Sequence, residues 1–313
     1  MKHPLPWRST LSPGLPKLIW CLVLNLFLFQ AAAGAGSLDE FSITDDQGRL
    51  IRLDAPATRI IALYGAFNEI LADMGREDLL IARTASDDLP PSIVGKPSIG
   101  THLRPNAELI LGLQPDLVLQ LGGRGEAMEP VRFLEKRGLQ VAVFDLENFE
   151  QLFSVMERLG TLTASTEQAA DRVRFMRSEL TRIEADHLPP RPRIFFEARY
   201  PTLLAAGQGS MASEIIYKAG GENCVAAPDK LVRLGEEELL RLAPDIYLVQ
   251  TGPMNPRPVP MSERSLFRTL ACVNSGQIHV VDQKVFSRPG PRSLEAVRQL
   301  STIISNWKKE VRP

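Results

Sequence analysis

Two stretches of the sequence resemble each other and carry most of the information about the fold. Residues 108–123 read ELILGLQPDLVLQLGG, and residues 237–252 read EELLRLAPDIYLVQTG. In both stretches a glutamate stands seven residues before Pro-Asp, and an apolar run ending in glycine follows. Proline stops a helix, and a short apolar run is typical of a buried strand. The repeat predicts two similar lobes, although helix, Pro-Asp and strand also follow one another generically in α/β proteins.

Short apolar runs alternate with helical patterns along most of the chain, which is typical of βα units around a parallel sheet. After a hairpin at 41–53, the predicted strands are 60–63, 79–83, 117–121, 141–144, 194–197, 246–249 and 278–281. The predicted helices between them are 68–74, 107–113, 129–136, 212–219, 236–242 and 292–307.

A longer helix is predicted over 165–187, between the two copies of the repeat. Its apolar residues are spaced by three and four positions and form one face: Ala169, Val173, Met176, Leu180 and Ile183. The prolines at 189, 190 and 192 end it. We therefore predict an α/β protein of two Rossmann-like lobes, with central, mostly parallel sheets joined by one long α-helix. The predicted boundaries are 37–160 for the N-terminal lobe, 161–190 for the interlobe helix and 191–313 for the C-terminal lobe.

The first 36 residues have the features of an export signal. Basic side chains precede an apolar run at 18–29, which is too short to span a bilayer comfortably. Small residues follow, and cleavage is expected near Ala33 or Ala35. An uncleaved anchor helix is the alternative. Cys21 lies inside the apolar run rather than after small residues, so we do not expect lipidation. The mature protein is predicted to be periplasmic and not inserted in the membrane.

Composition excludes several classes of function. With 36 basic and 37 acidic residues and no basic block, nucleic acid is a poor partner. Nucleophile-elbow, Walker, Cys-x-x-Cys and His-Glu-x-x-His motifs are missing, so no enzyme activity is predicted. His102, His187 and His279 share no ligand spacing, so no metal site of the protein's own is expected. Cys224 and Cys272 are compatible with a disulfide or with free buried thiols.

The candidate binding residues follow from a rule of α/β sheets: ligands collect beyond the carboxyl ends of the strands. Arginine forks bind carboxylates, and aromatic rings cover apolar ligand faces. The residues of these types in the predicted loops are Tyr64, His102, Arg104, Arg124, Arg199, Tyr200, Arg233 and Arg288. They suit a mid-sized, partly anionic ligand.

Several segments, in order and spacing, resemble the periplasmic binding proteins for iron-siderophores, haem and cobalamin. These segments lie between residues 41 and 304 and include Asp46-Gln47-Gly48, Arg59-Ile60-Ile61-Ala62-Leu63, Pro105-Asn106-Ala107-Glu108, Leu113-Gln114-Pro115-Asp116, Ala219-Gly220-Gly221 and Gly276-Gln277-Ile278. The resemblance implies a monomeric binding subunit of an ABC importer that works with a permease dimer and its ATPase. It also implies a small-molecule chelate held between the lobes and no intrinsic cofactor.

The resemblance further implies one permease-docking glutamate on each lobe, and these match Glu108 and Glu237. Both are also first-turn acids that a helix dipole favours. An iron-siderophore is the expected ligand because of the predicted arginines, while cobalamin or another corrinoid, haem and an oxyanion stay open. His102 stands where related binders carry an arginine, a tryptophan or a nearby tyrosine ligand, and it could ligate a metal centre or only donate hydrogen bonds. An exported α/β enzyme or a sensor domain is the more remote reading.

Overall fold

The computed structural model describes Met1, residues 40–123 and residues 128–311. The predicted signal segment, residues 1–36, lies outside the described residues except for Met1. Within the described part of the chain, no helix is both long enough and apolar enough to cross a membrane.

The first lobe is built on a small parallel sheet. It contains strands β1 (Ser42–Thr44), β2 (Leu50–Arg52), β3 (Ile60–Ala62), β4 (Leu117–Leu121) and β5 (Val141–Phe144), and helices α1 (Gly65–Asp73), α2 (Ala107–Gly112) and α3 (Glu129–Lys136). The first two strands form the predicted antiparallel hairpin. The other three pair in parallel in the order β3-β4-β5. Because these strands are buried along almost their whole length, both faces of the sheet are covered.

After the first-lobe sheet the chain forms α4 (Phe149–Leu162), which packs on the first lobe, and then α5 (Thr166–Ala185), which leads to the second lobe. The predicted long helix is α5, and its five predicted apolar residues are the buried ones. The helix is tied to both lobes by ion pairs. Arg172 contacts Asp73 of the first lobe at 2.8 Å, and Glu179 contacts Arg298 of the second lobe at 2.5 Å. The lobes therefore share a support that packs against each of them.

The second lobe has a larger sheet with the strand order β11-β10-β6-β7-β9, and β8 pairs with β6. Its strands are β6 (Arg193–Arg199), β7 (Leu204–Ala206), β8 (Glu222–Asn223), β9 (Leu231–Arg233), β10 (Ile246–Thr251) and β11 (Ile278–Asp282). Its helices are α6 (Met211–Lys218), α7 (Glu236–Leu242), α8 (Ala271–Asn274), α9 (Gln283–Phe286) and α10 (Ser293–Val311). The pairings among β6, β10 and β11 are parallel, whereas those of β7 are antiparallel.

The repeat corresponds to the same local structure in both lobes. The side chain of Asp116, before β4, accepts hydrogen bonds from the backbone N–H of Arg59, before β3. The side chain of Asp245, before β10, accepts one from the backbone N–H of Arg193, at the start of β6, at 2.7 Å. Each arginine also donates from its guanidinium to the carbonyl oxygen of the residue at the end of the repeat's helix. Each copy thus joins the end of its helix to the start of two adjacent parallel strands.

The residue before Pro-Asp has the same unusual backbone in both copies. Gln114 has φ +49° and Ala243 has φ +43°, which is the left-handed region. This conformation turns the chain from the helix into the strand over a few residues. The sequence repeat is therefore a structural repeat, as predicted.

The predicted strand at 79–83 is wrong. A 3₁₀ turn occupies Glu77–Leu79, after which Leu80 forms a single bridge to Ile60 and Arg83 a single bridge to Ser98. The segment lies beside the sheet for one residue and then turns away, so no ladder of successive pairs forms.

Cys224 and Cys272 are both free and buried in the second lobe. Burial raises the pKa of the Cys224 thiol to about 12 and that of Cys272 to about 11. Because the thiolate is the reactive form, both side chains behave here as small apolar core residues.

Candidate ligand-binding cleft

A cavity of about 240 Å³ lies between the lobes and takes residues from both. The first lobe contributes Tyr64, Gly65, Thr84, Ser86, Asp87 and His102. The second lobe contributes Phe196, Ala198, Ala206, Ser210, Ala212, Lys230, Leu231, Gln250, Pro253, Met254, Gln283, Ser287 and Arg288. Many of them come from the carboxyl ends of parallel strands or from the loops that follow, as the topology of α/β sheets predicts.

Arg288 is a charged residue of the cavity wall that contacts two carboxylates. Its guanidinium donates to Oε1 of Glu69 at 3.0 Å and lies 3.7 Å from Oδ1 of Asp87. Glu69 also accepts from Arg292 at 2.6 Å. Burial by itself would lower the pKa of Arg288, but the two carboxylates outweigh it and raise that pKa. The positive charge of Arg288 is therefore already neutralised by the protein.

Tyr64 and His102 form the aromatic part of the first-lobe wall. Their rings meet edge to face with centroids 5.9 Å apart. Burial raises the pKa of the Tyr64 hydroxyl to about 12. Burial also lowers the pKa of His102, with Asp87 opposing that effect and Arg288 adding to it. At neutral pH the wall thus presents a neutral phenol and a neutral imidazole.

Gly65 is required by close packing behind this wall. A Cβ atom at this position would lie 2.2 Å from Oδ1 of Asp87 and 2.7 Å from Nη1 of Arg288. Burial raises the pKa of Asp87, and hydrogen bonding from Thr84 together with the charge of Arg288 opposes the rise. The backbone at residue 65 therefore approaches a buried ion pair closely, and a side chain here would have to displace Asp87 or Arg288.

The second-lobe wall is mostly apolar, with neutral hydrogen-bonding groups between the apolar side chains. Leu231 and Met254 line it with 40% and 36% of their surface exposed, and exposed apolar side chains often mark a ligand-binding groove. The hydrogen-bonding side chains are hydroxyls and amides: Ser210, Gln250, Gln283 and Ser287. This wall suits a large, uncharged ligand surface.

Lys230 is the second cation of the described wall. Partial burial in the cleft lowers its pKa, while Glu147 and Asp145 of the first lobe oppose that effect. Burial and nearby carboxylates also raise the pKa of Asp145. Lys230 therefore lies in the field of first-lobe acidic groups, and Arg288 is directly paired with other acids of the first lobe.

Of the predicted ligand-binding residues, Tyr64, His102 and Arg288 line the cavity. Gly65, next to Tyr64, and Asp87 join them. Three residues that line the cavity were not predicted as ligand contacts: Met254, Gln283 and Ser287. Met254 could have been found from the sequence, because it lies three residues after the end of β10.

The other predicted residues that the structure describes do not line this cavity. Arg104 borders a separate, shallow depression with Leu103, Pro105 and Phe133. Arg233 is exposed on β9. Arg124 lies outside the described residues. Arg199 is half-buried at the end of β6, and its Nε has no hydrogen-bond partner. Their role as ligand contacts stays a prediction.

Tyr200 has a different environment from the one predicted. Its hydroxyl donates to Oε1 of Glu236 at 2.8 Å, and its ring packs on Phe267 and under the guanidinium of Arg264. These contacts turn the side chain toward α7. The rule that ligands collect beyond the carboxyl ends of strands correctly placed Tyr200 in the loop after β6, but it could not indicate the direction of the side chain.

Among residues 40–123 and 128–311, no group of three or more histidine, cysteine, aspartate or glutamate side chains is arranged to hold a metal ion. His102 is the histidine of the cavity wall, and its neighbours there are Tyr64 and Asp87.

The two predicted docking glutamates lie in equivalent positions. Glu108 is in the first turn of α2, and Glu237 is in the first turn of α7. Both are exposed. Neither lines the interlobe cavity, so a role for them in partner binding is separable from ligand binding.

A family model described as "Periplasmic binding protein" matches residues 60–303. The chain belongs to the periplasmic binding protein family. The vitamin B12-binding protein of Vibrio cholerae is 26% identical over 265 residues, which cover 82% of this chain and 92% of that protein. By name, this relative is a binding protein rather than an enzyme.

Two solved structures show the same two-lobed fold as this periplasmic binding protein. The periplasmic heme-binding protein RhuT from Roseiflexus sp. RS-1 has a TM-score of 0.68 and 19% identity, covering 80% of this chain and 99% of that one. The ABC-type Fe3+-hydroxamate transport system protein from Saccharomonospora viridis has a TM-score of 0.66 and 22% identity, covering 84% and 98%. Fold and family are thus as predicted.

Proposed function

We propose that this periplasmic binding protein is the substrate-binding component of an ABC importer, capturing a metal chelate in the interlobe cleft and delivering it to a membrane permease. The observation that carries the proposal is the cavity itself, whose wall is shared by both lobes. Ligand sites of binding proteins and enzymes lie preferentially at such domain interfaces. The names of the relatives support the transport role.

The wall carries little free positive charge for a strongly anionic chelate. Arg288 is paired with Glu69 and Asp87, and the charge of Lys230 is offset only at longer range by Glu147 and Asp145. An anionic siderophore would find no unpaired arginine in the described wall. A charged group that is desolvated without a partner is costly. This argument weakens the expectation of an anionic siderophore, which rested on the predicted arginines, because Arg288 is already paired and Arg104, Arg199 and Arg233 do not line the cavity.

Within the chelates, we propose a corrinoid first and a neutral ferric hydroxamate second. A corrinoid presents a large apolar ring system, which matches the apolar side chains of the second-lobe wall, such as Phe196, Leu231 and Met254. The relatedness to a vitamin B12-binding protein points the same way. The chelate is the transported ligand, and no resident cofactor is proposed.

Chromophore retention tests this proposal. Mature protein, residues 36–313, is incubated separately with cyanocobalamin, a ferric hydroxamate, haemin and a ferric catecholate, and then desalted. We expect near-stoichiometric retention of cyanocobalamin or of the hydroxamate. Retention of haemin or the catecholate alone would overturn the charge argument. If no chromophore is retained and the intrinsic fluorescence does not change, the chelate proposal is wrong.

Two matched variants connect binding to the cavity. Met254→Glu places a carboxylate at the edge of the cavity, whereas Leu266→Glu places one at a similarly exposed position that does not line it. Met254→Glu should weaken chelate binding by at least about tenfold, and Leu266→Glu should leave it unchanged. Equal effects of both substitutions would place the ligand elsewhere.

A further inference from the structure

The facing edges of the two lobes carry opposite charges next to the cavity. The acidic rim consists of Glu69, Asp87 and Asp88 of the first lobe. The basic rim consists of Lys284, Arg288 and Arg292 of the second lobe. Within the described ranges, each direct ion pair between the lobes joins an acid of the first to a base of the second.

The contacts differ in burial. Asp88 and Lys284 form an exposed pair at 2.5 Å, and such surface pairs contribute little individually. Glu69 is buried and accepts hydrogen bonds from both Arg288 and Arg292. A buried carboxylate held by two guanidinium groups is a strong, charge-assisted contact. Glu69 is therefore the centre of the interaction between the rims.

The rims also border the space that a ligand must enter. Asp87 and Arg288 belong to both the rims and the cavity wall. The cavity measures about 240 Å³, below the roughly 300–1,000 Å³ of pockets that hold drug-sized ligands. Cyanocobalamin as a whole is larger than such ligands, so we expect the lobes to move apart when it enters. Separation at this edge breaks the contacts of Glu69 and Asp88.

We propose that the acidic and basic rims form an electrostatic latch that keeps the cleft closed in the absence of cargo and that cargo entry must open. The latch deepens the proposed function, because it governs access to the same cleft. It acts through attraction between the lobes, with α5 as the element that joins them. Its strength falls as salt screens the exposed part of the rims.

The test uses mature protein without any cargo, spin-labelled at Val94→Cys and Leu266→Cys. These sites are exposed on opposite lobes, and the native cysteines are buried. In this background, Glu69→Gln should shift and broaden the distance distribution, because glutamine keeps the shape and removes the charge. In the spin-labelled protein without rim substitutions, raising the ionic strength from about 0.05 M to about 0.5 M should shift the distribution of distances between the labels in the same direction. Circular dichroism verifies that each variant is folded.

A charge exchange separates attraction from packing. Asp88→Lys and Lys284→Asp should each disturb the distribution, and the double exchange should restore it. Unchanged distributions in Glu69→Gln and in both single exchanges, at both salt concentrations, would overturn the latch and indicate a rigid interlobe interface. A double exchange that does not restore the distribution would also contradict it.

A second measurement relates the latch to cargo. Glu69→Gln should raise the association rate constant for cyanocobalamin by about tenfold, which corresponds to one lost charge-assisted contact in the closed state. If cyanocobalamin does not bind at all, the proposed ligand is wrong, but the cargo-free distance measurements still decide whether the latch exists.

Discussion

The hydroxyl of Tyr200 donates a hydrogen bond of 2.8 Å to Oε1 of Glu236. The guanidinium of Arg264 lies 4.1 Å from the centroid of the Tyr200 ring and is paired with the buried carboxylate of Glu197. A continuous series of contacts thus runs from the core of the second lobe to the first turn of α7. It fixes the side chain of Glu236 beside the exposed Glu237.

This arrangement leaves Glu237 as the best candidate for the predicted docking residue among three neighbouring glutamates. Glu236 is bound by Tyr200, and Glu238 pairs with Arg241 at 2.5 Å, whereas Glu237 is exposed. We predict that Glu237→Arg abolishes uptake of the cargo in cells while the affinity of the purified protein for it stays unchanged. Glu236→Gln should retain most of the uptake. Uptake assays and titrations of purified protein measure the two quantities.

The same reversal in the first lobe, Glu108→Arg, should also abolish uptake. Glu167 provides the matched control, because it too is an exposed acid in the first turn of a helix. Glu167→Arg causes the same loss of a favourable helix-dipole interaction, about 0.3–1 kcal/mol, at a helix that carries no predicted docking glutamate. Uptake should therefore stay normal in this control. Normal uptake with the Glu237 and Glu108 reversals combined would contradict the docking role.

The sequence predicted the sheet cores of both lobes well. Strands such as β4 and β10 are apolar runs between turn residues, and the Pro-Asp repeat fixes where each begins. Helix α4 was not predicted, although Asn148 caps its N-terminus by accepting from the backbone N–H of Gln151. The short antiparallel strands β7 and β9 were also missed, because three residues are too few for a period-two pattern to appear.

The candidate site was less predictable for a different physical reason. A position after a strand indicates that a residue is near the cleft but not where a long side chain points. The direction of Tyr200 depends on Glu236, 36 positions away. The pairing of Arg288 depends on Glu69, which is 219 positions away. Such partners are brought together only by the packing of the two lobes.

The buried pair of Arg264 and Glu197 should be important for stability. Their side chains are 1% and 0% exposed, and the hydroxyl of Tyr247 also donates to Glu197, at 2.6 Å. Removing one partner of a buried pair leaves an uncompensated charge, which costs about 3–5 kcal/mol. We predict that Arg264→Met lowers the free energy of unfolding, measured by urea denaturation, by this amount.

An exposed pair on α5 provides the comparison. Arg174 and Asp171 are 70% and 60% exposed, so Arg174→Met should change the free energy of unfolding by at most about 1 kcal/mol. Replacing both buried partners, Arg264→Met with Glu197→Met, should recover part of the loss, because no lone charge then stays buried. Equal effects of Arg264→Met and Arg174→Met would contradict the assigned burial.

Gly65 should not tolerate a side chain. A Cβ atom there would overlap Oδ1 of Asp87 and Nη1 of Arg288, and such overpacking costs typically about 1–3 kcal/mol. We predict that Gly65→Ala lowers the melting temperature and weakens chelate binding.

Gly112, at the end of α2, is the matched control for Gly65. A Cβ atom at Gly112 would meet no other part of the chain within 4 Å. Gly112→Ala should therefore raise the free energy of unfolding slightly, by up to about 1 kcal/mol, because alanine restricts the unfolded chain more than glycine does. If Gly65→Ala changes neither the melting temperature nor chelate binding, the close approach of the Gly65 backbone to the ion pair is contradicted.

Stability should fall as the pH is lowered from 8 to 6, because of three histidines. Burial is the largest cause that lowers the pKa of His102, His187 and His279 below the usual 6.5. The unfolded chain then binds more protons than the folded protein at pH values below about 7, so the free energy of unfolding decreases as the pH falls through that range. Thermal melts at pH 8, 7 and 6 measure this slope.

Replacing the three histidines by glutamine identifies the source of the slope. The triple variant should show a much flatter dependence of melting temperature on pH between 8 and 6. Asp87, Asp145 and Glu214 have raised pKa values mainly because of burial, so as the pH falls further their protonation favours the folded state and opposes the histidines. A slope that is unchanged in the triple variant would assign the effect to other groups, and a melting temperature that rises toward pH 6 in the parent protein would contradict the sign.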